Sequence, residues 1–224
     1  MGVIKLTNEK ILKMLNLGET DELKKLLQNE IYVKELNRKN GEDKRYKAMI
    51  NYFNLSVLNK PVCQFPYRKD INGITYSCFM DGYSAVLSKE DLGNMELYDE
   101  KKYNSPYANI EKLFEPYNEV VFENFNMSKV FAAAKSLGYK LNKSSLSGNK
   151  AFIFELEGIY FNIGLLDKAF RIIDNGEKIN ILREKRTYSP IIVENDIGKC
   201  LVLPIRPDAN SLKEHTIIHF NELI

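Results

Sequence analysis

The sequence predicts an α+β protein, and three observations carry that prediction. Apolar residues recur at helical spacing up to Phe53, short aromatic and β-branched stretches separated by turn residues take over from Val62, and the two patterns alternate from Val120 to Ile205. With 224 residues the chain has length for one large domain or two of roughly 110 residues each. It is long enough to bury a core without covalent staples.

Val3-Ile4-Lys5-Leu6 reads as a short strand, after which Thr7 or Asn8 caps a helix running to Gly18 with Ile11, Leu12, Met14 and Leu15 on its apolar face. A second helix, capped by Thr20 or Asp21, carries Leu23, Leu26, Leu27 and Ile31, and Arg38 to Asp43 reads as a polar turn. Tyr46, Met49, Ile50 and Phe53 repeat at three- and four-residue steps and predict another helix. Val62 to Tyr67, Gly73 to Met80 and Tyr83 to Ser88 then predict strands, with Asn72-Gly73 and Asp81-Gly82 as hairpin turns. Ser105-Pro106 opens a short helix with Ile110, Leu113 and Phe114 on one face.

The second half restarts the programme. Val120-Val121-Phe122 predicts a strand, Asn126 a cap, Met127 to Leu137 a helix, and Gly138 its stop. Strands follow at Ala151 to Leu156 and Ile159 to Phe161, and Asn162 caps a helix over Leu165 to Ile173. Ile179 to Arg183, Ile191 to Glu194 and Cys200 to Ile205 are expected to form a second sheet. Val3 to Gly18 and Val120 to Gly138 share one plan, so the chain reads either as two similar units meeting near Tyr117 to Val120 or as one α+β domain in which strands and helices alternate.

Composition narrows the function classes. The formal net charge of +2 gives no global field to attract nucleic acid, so only a local arrangement of Lys and Arg could do so. Cys63, Cys78 and Cys200 are odd in number and form no CxxC pair, which predicts a reducing, cytoplasmic setting. The opening Met1-Gly2-Val3-Ile4-Lys5-Leu6 lacks the apolar run of a signal peptide, and no stretch approaches the about 20 apolar residues of a membrane span.

Catalytic chemistry finds no anchor. The only histidines, His215 and His219, are spaced i,i+4, but the intervening Thr216-Ile217-Ile218 is β-branched and favours a strand, where that spacing does not converge on a metal. Cys63 and Cys78 read as small core residues. Ser144 to Lys150 lacks the leading Gly and the Gly-Lys-Ser/Thr end of a phosphate loop and reads as a turn. The expectation is a binding protein, not an enzyme, with no cofactor and no metal.

Two groups of residues resemble a known family. One comprises Tyr160-Phe161-Asn162-Ile163-Gly164-Leu165-Leu166-Asp167-Lys168-Ala169, Ser189-Pro190-Ile191-Ile192-Val193 and Leu201-Val202-Leu203-Pro204-Ile205-Arg206. The other is Phe79-Met80-Asp81-Gly82-Tyr83-Ser84-Ala85-Val86. Together they resemble the DNA sliding clamps of bacterial and phage replication: an Asn-led helix with a Leu-Asp pair, a Ser-Pro-led strand, a Pro-x-Arg final strand and an Asp-Gly-aromatic hairpin.

The resemblance implies a clamp-like fold of two pseudo-symmetric domains, residues 1–119 with a helical insertion at about 19–45 and residues 120–207, followed by a tail at 208–224. It implies a peptide-binding pocket of Gly82, Tyr83, Leu203, Pro204, Ile205 and Arg206, with DNA polymerase or other replication proteins as partners. It also implies helices that meet DNA phosphates, here through Lys10, Lys13, Lys129, Lys135, Lys168 and Arg171. Two domains per chain would need a homo-oligomer, a trimer, to close a six-domain ring around double-stranded DNA, as expected of a phage or mobile element. Ser84 stands where the family has Arg. The tail, ending Phe220-Asn221-Glu222-Leu223-Ile224, is apolar enough to be expected over the neighbouring pocket as an autoinhibitor. A monomeric interaction module that keeps the fold without a ring, and an enzyme with an unrecognised site, stand as the alternatives.

Overall fold

A computed structural model describes residues 42–56, 58–93, 95–115, 120–147, 151–184, 188–206 and 211–223. The chain divides between Lys44 and Arg45 into two units. The strand at Val3 to Leu6, both helices up to Ile31, Lys10 and Lys13 lie outside the described residues, as do positions 117–119 of the boundary expected near Tyr117 to Val120. Apart from Glu42 to Lys44, every described residue belongs to the unit that begins at Arg45.

The first helix among the described residues, α1 (Glu42–Asn54), ends before a 3-10 turn at Pro61–Cys63. The sequence pattern starts a strand at Val62. Pro61 instead begins the 3-10 turn, and the strand β1 covers Tyr67–Ile71. β1 turns into β2 (Ile74–Met80) through Asn72 and Gly73, whose φ angles of 52° and 79° suit a type I′ hairpin that few residue pairs other than Asn-Gly accept. β3 (Ser84–Ser88) follows after the Asp81-Gly82 corner, and all five of its residues are buried. Two short helices follow: α2 (Glu100–Tyr103), which ends before Ser105-Pro106, and α3 (Glu111–Phe114), which carries Leu113 and Phe114 of the expected helix but begins beyond that pair.

β4 (Val120–Phe125) leads to α4 (Met127–Ser136), whose Asn126 cap accepts from Ser128 N at 2.9 Å. Ser144–Ser147 form a helical turn, α5. β5 (Phe152–Leu156) and β6 (Ile159–Asn162) follow, and Asn162 caps α6 (Ile163–Ile173) by accepting from Leu165 N at 3.1 Å. β7 (Ile179–Leu182), β8 (Ile191–Glu194), β9 (Gly198–Val202) and β10 (Thr216–His219) complete the set.

The strands form two sheets, but not one sheet for each half of the sequence. A seven-stranded sheet runs β1-β2-β3-β9-β8-β7-β4, antiparallel at every step, and a three-stranded sheet runs β10-β5-β6. β3 pairs with β9 over five residues, from Ser84↔Val202 to Ser88↔Gly198. Strands from both sides of position 120 therefore share one continuous hydrogen-bonded ladder.

Alternation explains why this sheet is covered twice. Ala85, Leu87, Ile192 and Leu201 point to one face, where Tyr98, Tyr107, Ile110 and Phe114 cover them. Val86, Val193, Cys200 and Val202 point to the other, into the larger core with α6. Ten of the eleven residues of α6 are buried, Arg171 being the exception, because the helix packs on β3 and β9 and also against β5 and β6. No helix among the described residues is long and apolar enough to cross a membrane.

The three cysteines are free and buried. Burial pushes the thiols of Cys78 and Cys200 up to about 12. Native protein should therefore leave all three thiols unreacted with a disulfide reagent at pH 8, while denatured protein titrates three. The same shift fixes a pH dependence. Above the unfolded thiol value the unfolded chain loses protons that the folded one keeps, so stability falls as pH rises from about 9 towards 12. Denaturant melts at pH 8 and pH 10.5 check it.

Candidate functional site

The β2–β3 corner is built from inside. Asp81 N donates to Ser84 O at 3.1 Å, and one carboxylate oxygen of Asp81 accepts from Tyr83 N at 2.9 Å, Ser84 N at 2.7 Å and Ser84 Oγ at 3.0 Å. Gly82 takes a φ of 87°, and a Cβ there would run into the Leu58 side chain. The other oxygen of Asp81 is bound by Lys168 Nζ. Both charged side chains are buried, Asp81 at 0% and Lys168 at 1% exposure.

Tyr52 closes this cluster from α1. Its hydroxyl lies 3.0 Å from Ser84 O and 2.9 Å from Ser84 Oγ, and its ring sits 4.5 Å beneath the Lys168 ammonium. Burial, with the Asp81 carboxylate second, drives the phenol well above its ordinary pKa, so it remains a donor. Above this cluster Gly82 and Tyr83 are exposed, Tyr83 at 44%.

The Leu203–Arg206 segment lies beside the corner. The strand expected to run to Ile205 ends at Val202, because from there the chain leaves one sheet for the other. Leu203 N donates to Tyr83 O at 2.9 Å, and Ile205 N donates to Tyr160 O at 2.8 Å in an isolated antiparallel bridge. Pro204, which has no N–H to satisfy, sits between these two bonds. Leu203 is 39% exposed, Pro204 and Ile205 are half-buried, and the Arg206 guanidinium stacks over the Tyr188 ring at 4.2 Å. All six residues expected to form the pocket are thus described, and Tyr83 and Leu203 are joined by a backbone hydrogen bond. Tyr188, exposed at 48% beneath Arg206, is absent from the expected set. An aromatic residue just before Ser189-Pro190 is the signal that could have found it.

The basic residues are dispersed. Lys168 is buried and paired with Asp81, so it takes no part in a DNA-facing surface, a correction to the sequence expectation. Its helix is walled in by both sheets, whereas a DNA-facing role needs a solvated face. Arg171 is held by Asp167 through bonds of 2.7 and 2.9 Å, with Tyr139 donating to the same carboxylate at 3.0 Å. Lys129 and Lys135 are exposed on α4, and Lys129 Nζ donates to Leu223 O at 2.8 Å.

The tail is also corrected. Phe220 is 2% exposed and its ring meets Phe122, Phe125 and Phe154, while β10 pairs in parallel with β5. β5 and β6 thus separate β10 from Ile205, so this part of the tail belongs to the core and does not lie over the Tyr83–Leu203 surface. Its histidines are tied locally: His215 Nδ1 accepts from Ala151 N at 3.1 Å, and His219 Nδ1 lies 2.9 Å from Glu155 Oε2. Among the described residues no group of three or more His, Cys, Asp and Glu could hold a metal.

No family model, no curated protein and no solved structure matches the chain.

Proposed function

We propose that this chain is a clamp-like accessory protein of DNA replication that captures short peptide motifs of DNA polymerase or other replication proteins. The supporting observation is the hydrogen bond from Leu203 N to Tyr83 O, which sets the Asp-Gly corner against the Leu-Pro-Ile-Arg segment. The result is an exposed apolar strip of Tyr83 and Leu203, half-buried Ile205 beside them, and a stacked guanidinium near one end. Apolar anchors of a peptide would cover the strip, and Arg206 would take a carboxylate or backbone carbonyl.

Because the chain has no Trp, a peptide carrying one leucine and one tryptophan ahead of a free C-terminal carboxylate reports binding through its own fluorescence. Saturable binding is expected, weakened at least tenfold by Leu203→Asp, an exposed position whose change should leave the melting curve intact. Absence of binding, or equal binding by the variant, overturns the reading.

A second reading, the monomeric module without a ring or DNA binding, is favoured by the sheet edges. Edge strand β1 carries Arg68 and Lys69, engaged with Asp91 at 2.7 Å and Glu111 at 3.1 Å. The opposite edge, β4, is interrupted by two register shifts. Charges and bulges discourage edge-to-edge pairing between chains. The burial of Lys168 and the pairing of Arg171 further thin the cationic surface that DNA would need. Light scattering after size exclusion separates the two: a mass near 25.9 kDa supports the module, and about three times that supports the trimeric ring.

A further inference from the structure

We infer that Lys168 is a positioning residue for the peptide-binding surface, holding the Gly82–Tyr83 corner in its presenting conformation from inside the core through Asp81. The inference rests on the reading that this corner binds a peptide.

Lys168 occupies a place in the core where an apolar side chain would be expected. Its apolar neighbours on α6, Leu165, Leu166, Ala169, Phe170, Ile172 and Ile173, are all buried, and the adjacent buried carboxylate, Asp167, is engaged by Arg171 and Tyr139. A leucine or methionine would fill such a site without the desolvation penalty that a buried ammonium carries. Packing alone therefore does not call for a lysine.

The charge has specific partners instead. Its Nζ binds one oxygen of Asp81 and lies over the face of Tyr52. The other Asp81 oxygen gathers Tyr83 N, Ser84 N and Ser84 Oγ, and the Tyr52 hydroxyl donates to Ser84 O. Three elements, α1, the β2–β3 hairpin and α6, thus converge beneath two exposed residues. Without the ammonium, the carboxylate would be buried and uncompensated, and turning towards water would release the two amides that define the corner. Since Tyr83 O is the acceptor for Leu203 N, a shift of the corner also moves the Leu203 side of the strip.

The test compares Lys168→Met, Asp81→Asn and the double variant Asp81→Asn/Lys168→Met. Methionine keeps the linear shape without the charge, and asparagine keeps an acceptor oxygen for the two amides. Val130→Ala, a core truncation on α4, is the stability control. Two readouts are taken on folded protein: hydrogen-exchange protection of the Tyr83 and Ser84 amides, and affinity for the leucine–tryptophan peptide.

Lys168→Met should lose protection at both amides and bind at least tenfold more weakly. The neutral double variant should recover protection and bind within about threefold of wild type, the coupling expected of two groups acting as one unit. Val130→Ala should unfold more easily with both readouts unchanged. If Lys168→Met keeps both amides protected and its affinity, Lys168 is only structural and the inference is overturned. Should Lys168→Met fail to fold, the double variant decides: a mobile corner in a folded, neutral core overturns the inference. If wild-type protein binds no peptide, the functional reading falls, and protection of the two amides alone decides whether Lys168 fixes the corner.

Discussion

Phe220→Ala will cost the protein about 3–5 kcal/mol of unfolding free energy, the range for truncating a buried aromatic side chain. Phe220 is 2% exposed, with ring centroids 4.1 Å from Phe122 and 5.0 Å from Phe125, and an edge contact to Phe154 at 6.2 Å. It closes the core where β4 meets the small sheet. Few neighbours can collapse into the space, because Phe125 and Phe154 are themselves buried and held in strands. Chemical denaturation read by circular dichroism measures the loss. A change below about 1 kcal/mol would mean that residues 216–223 are not part of the core. The prediction also separates this structure from an autoinhibitory tail, since removing such a tail would strengthen peptide binding without loss of stability.

Gly198→Ala will destabilise by about 3 kcal/mol, at the upper end for overpacking a filled core. A Cβ at Gly198 would fall on the Leu87 carbonyl oxygen, 3.0 Å from Ser88 Cα and 3.1 Å from Ile173 Cγ2. The first two are backbone atoms of β3 and the third belongs to buried α6, so none is a flexible tip that can swing away. The strain falls on the Ser88↔Gly198 pair, the far end of the β3–β9 ladder from the Ser84↔Val202 pair beside the candidate site. Peptide affinity of the folded variant should therefore stay close to wild type while its denaturation midpoint drops. A variant as stable as wild type would contradict the described β3–β9 pairing.

Legibility in the sequence depended on whether the signal was local. Asn72-Gly73 and Asp81-Gly82 both make hairpin corners, and Asn126 and Asn162 both cap helices, because turns and caps are decided by two or three adjacent residues. The strand at Thr216–His219 likewise follows from β-branching. β1 is not legible: Tyr-Arg-Lys-Asp-Ile carries three charged residues and forms a strand because β2 offers it a partner. Nor can local pattern say that β7, β8 and β9 continue the β1–β3 hairpins into one sheet, since pairing between β3 and β9 spans more than a hundred residues.

The candidate site divides the same way. Its six expected surface residues are marked by short motifs, whereas Tyr52 lies outside every such motif and Lys168, though inside one, reads there as a DNA-facing cation. A lysine within a helix is usually a solvated cation, and the carboxylate beside it in sequence, Asp167, pairs with Arg171 and not with Lys168. Only the closing of both sheets over α6, and the arrival of Asp81 from a hairpin 87 residues away in sequence, turn it into a core residue.

The most direct measurement is an amide chemical-shift map of the labelled protein titrated with the leucine–tryptophan peptide. Shifts are expected to concentrate at Gly82, Tyr83, Leu203, Ile205 and Arg206, with smaller ones at Tyr188. Shifts centred elsewhere, such as on α4 or β10, or none at saturating peptide, would contradict it.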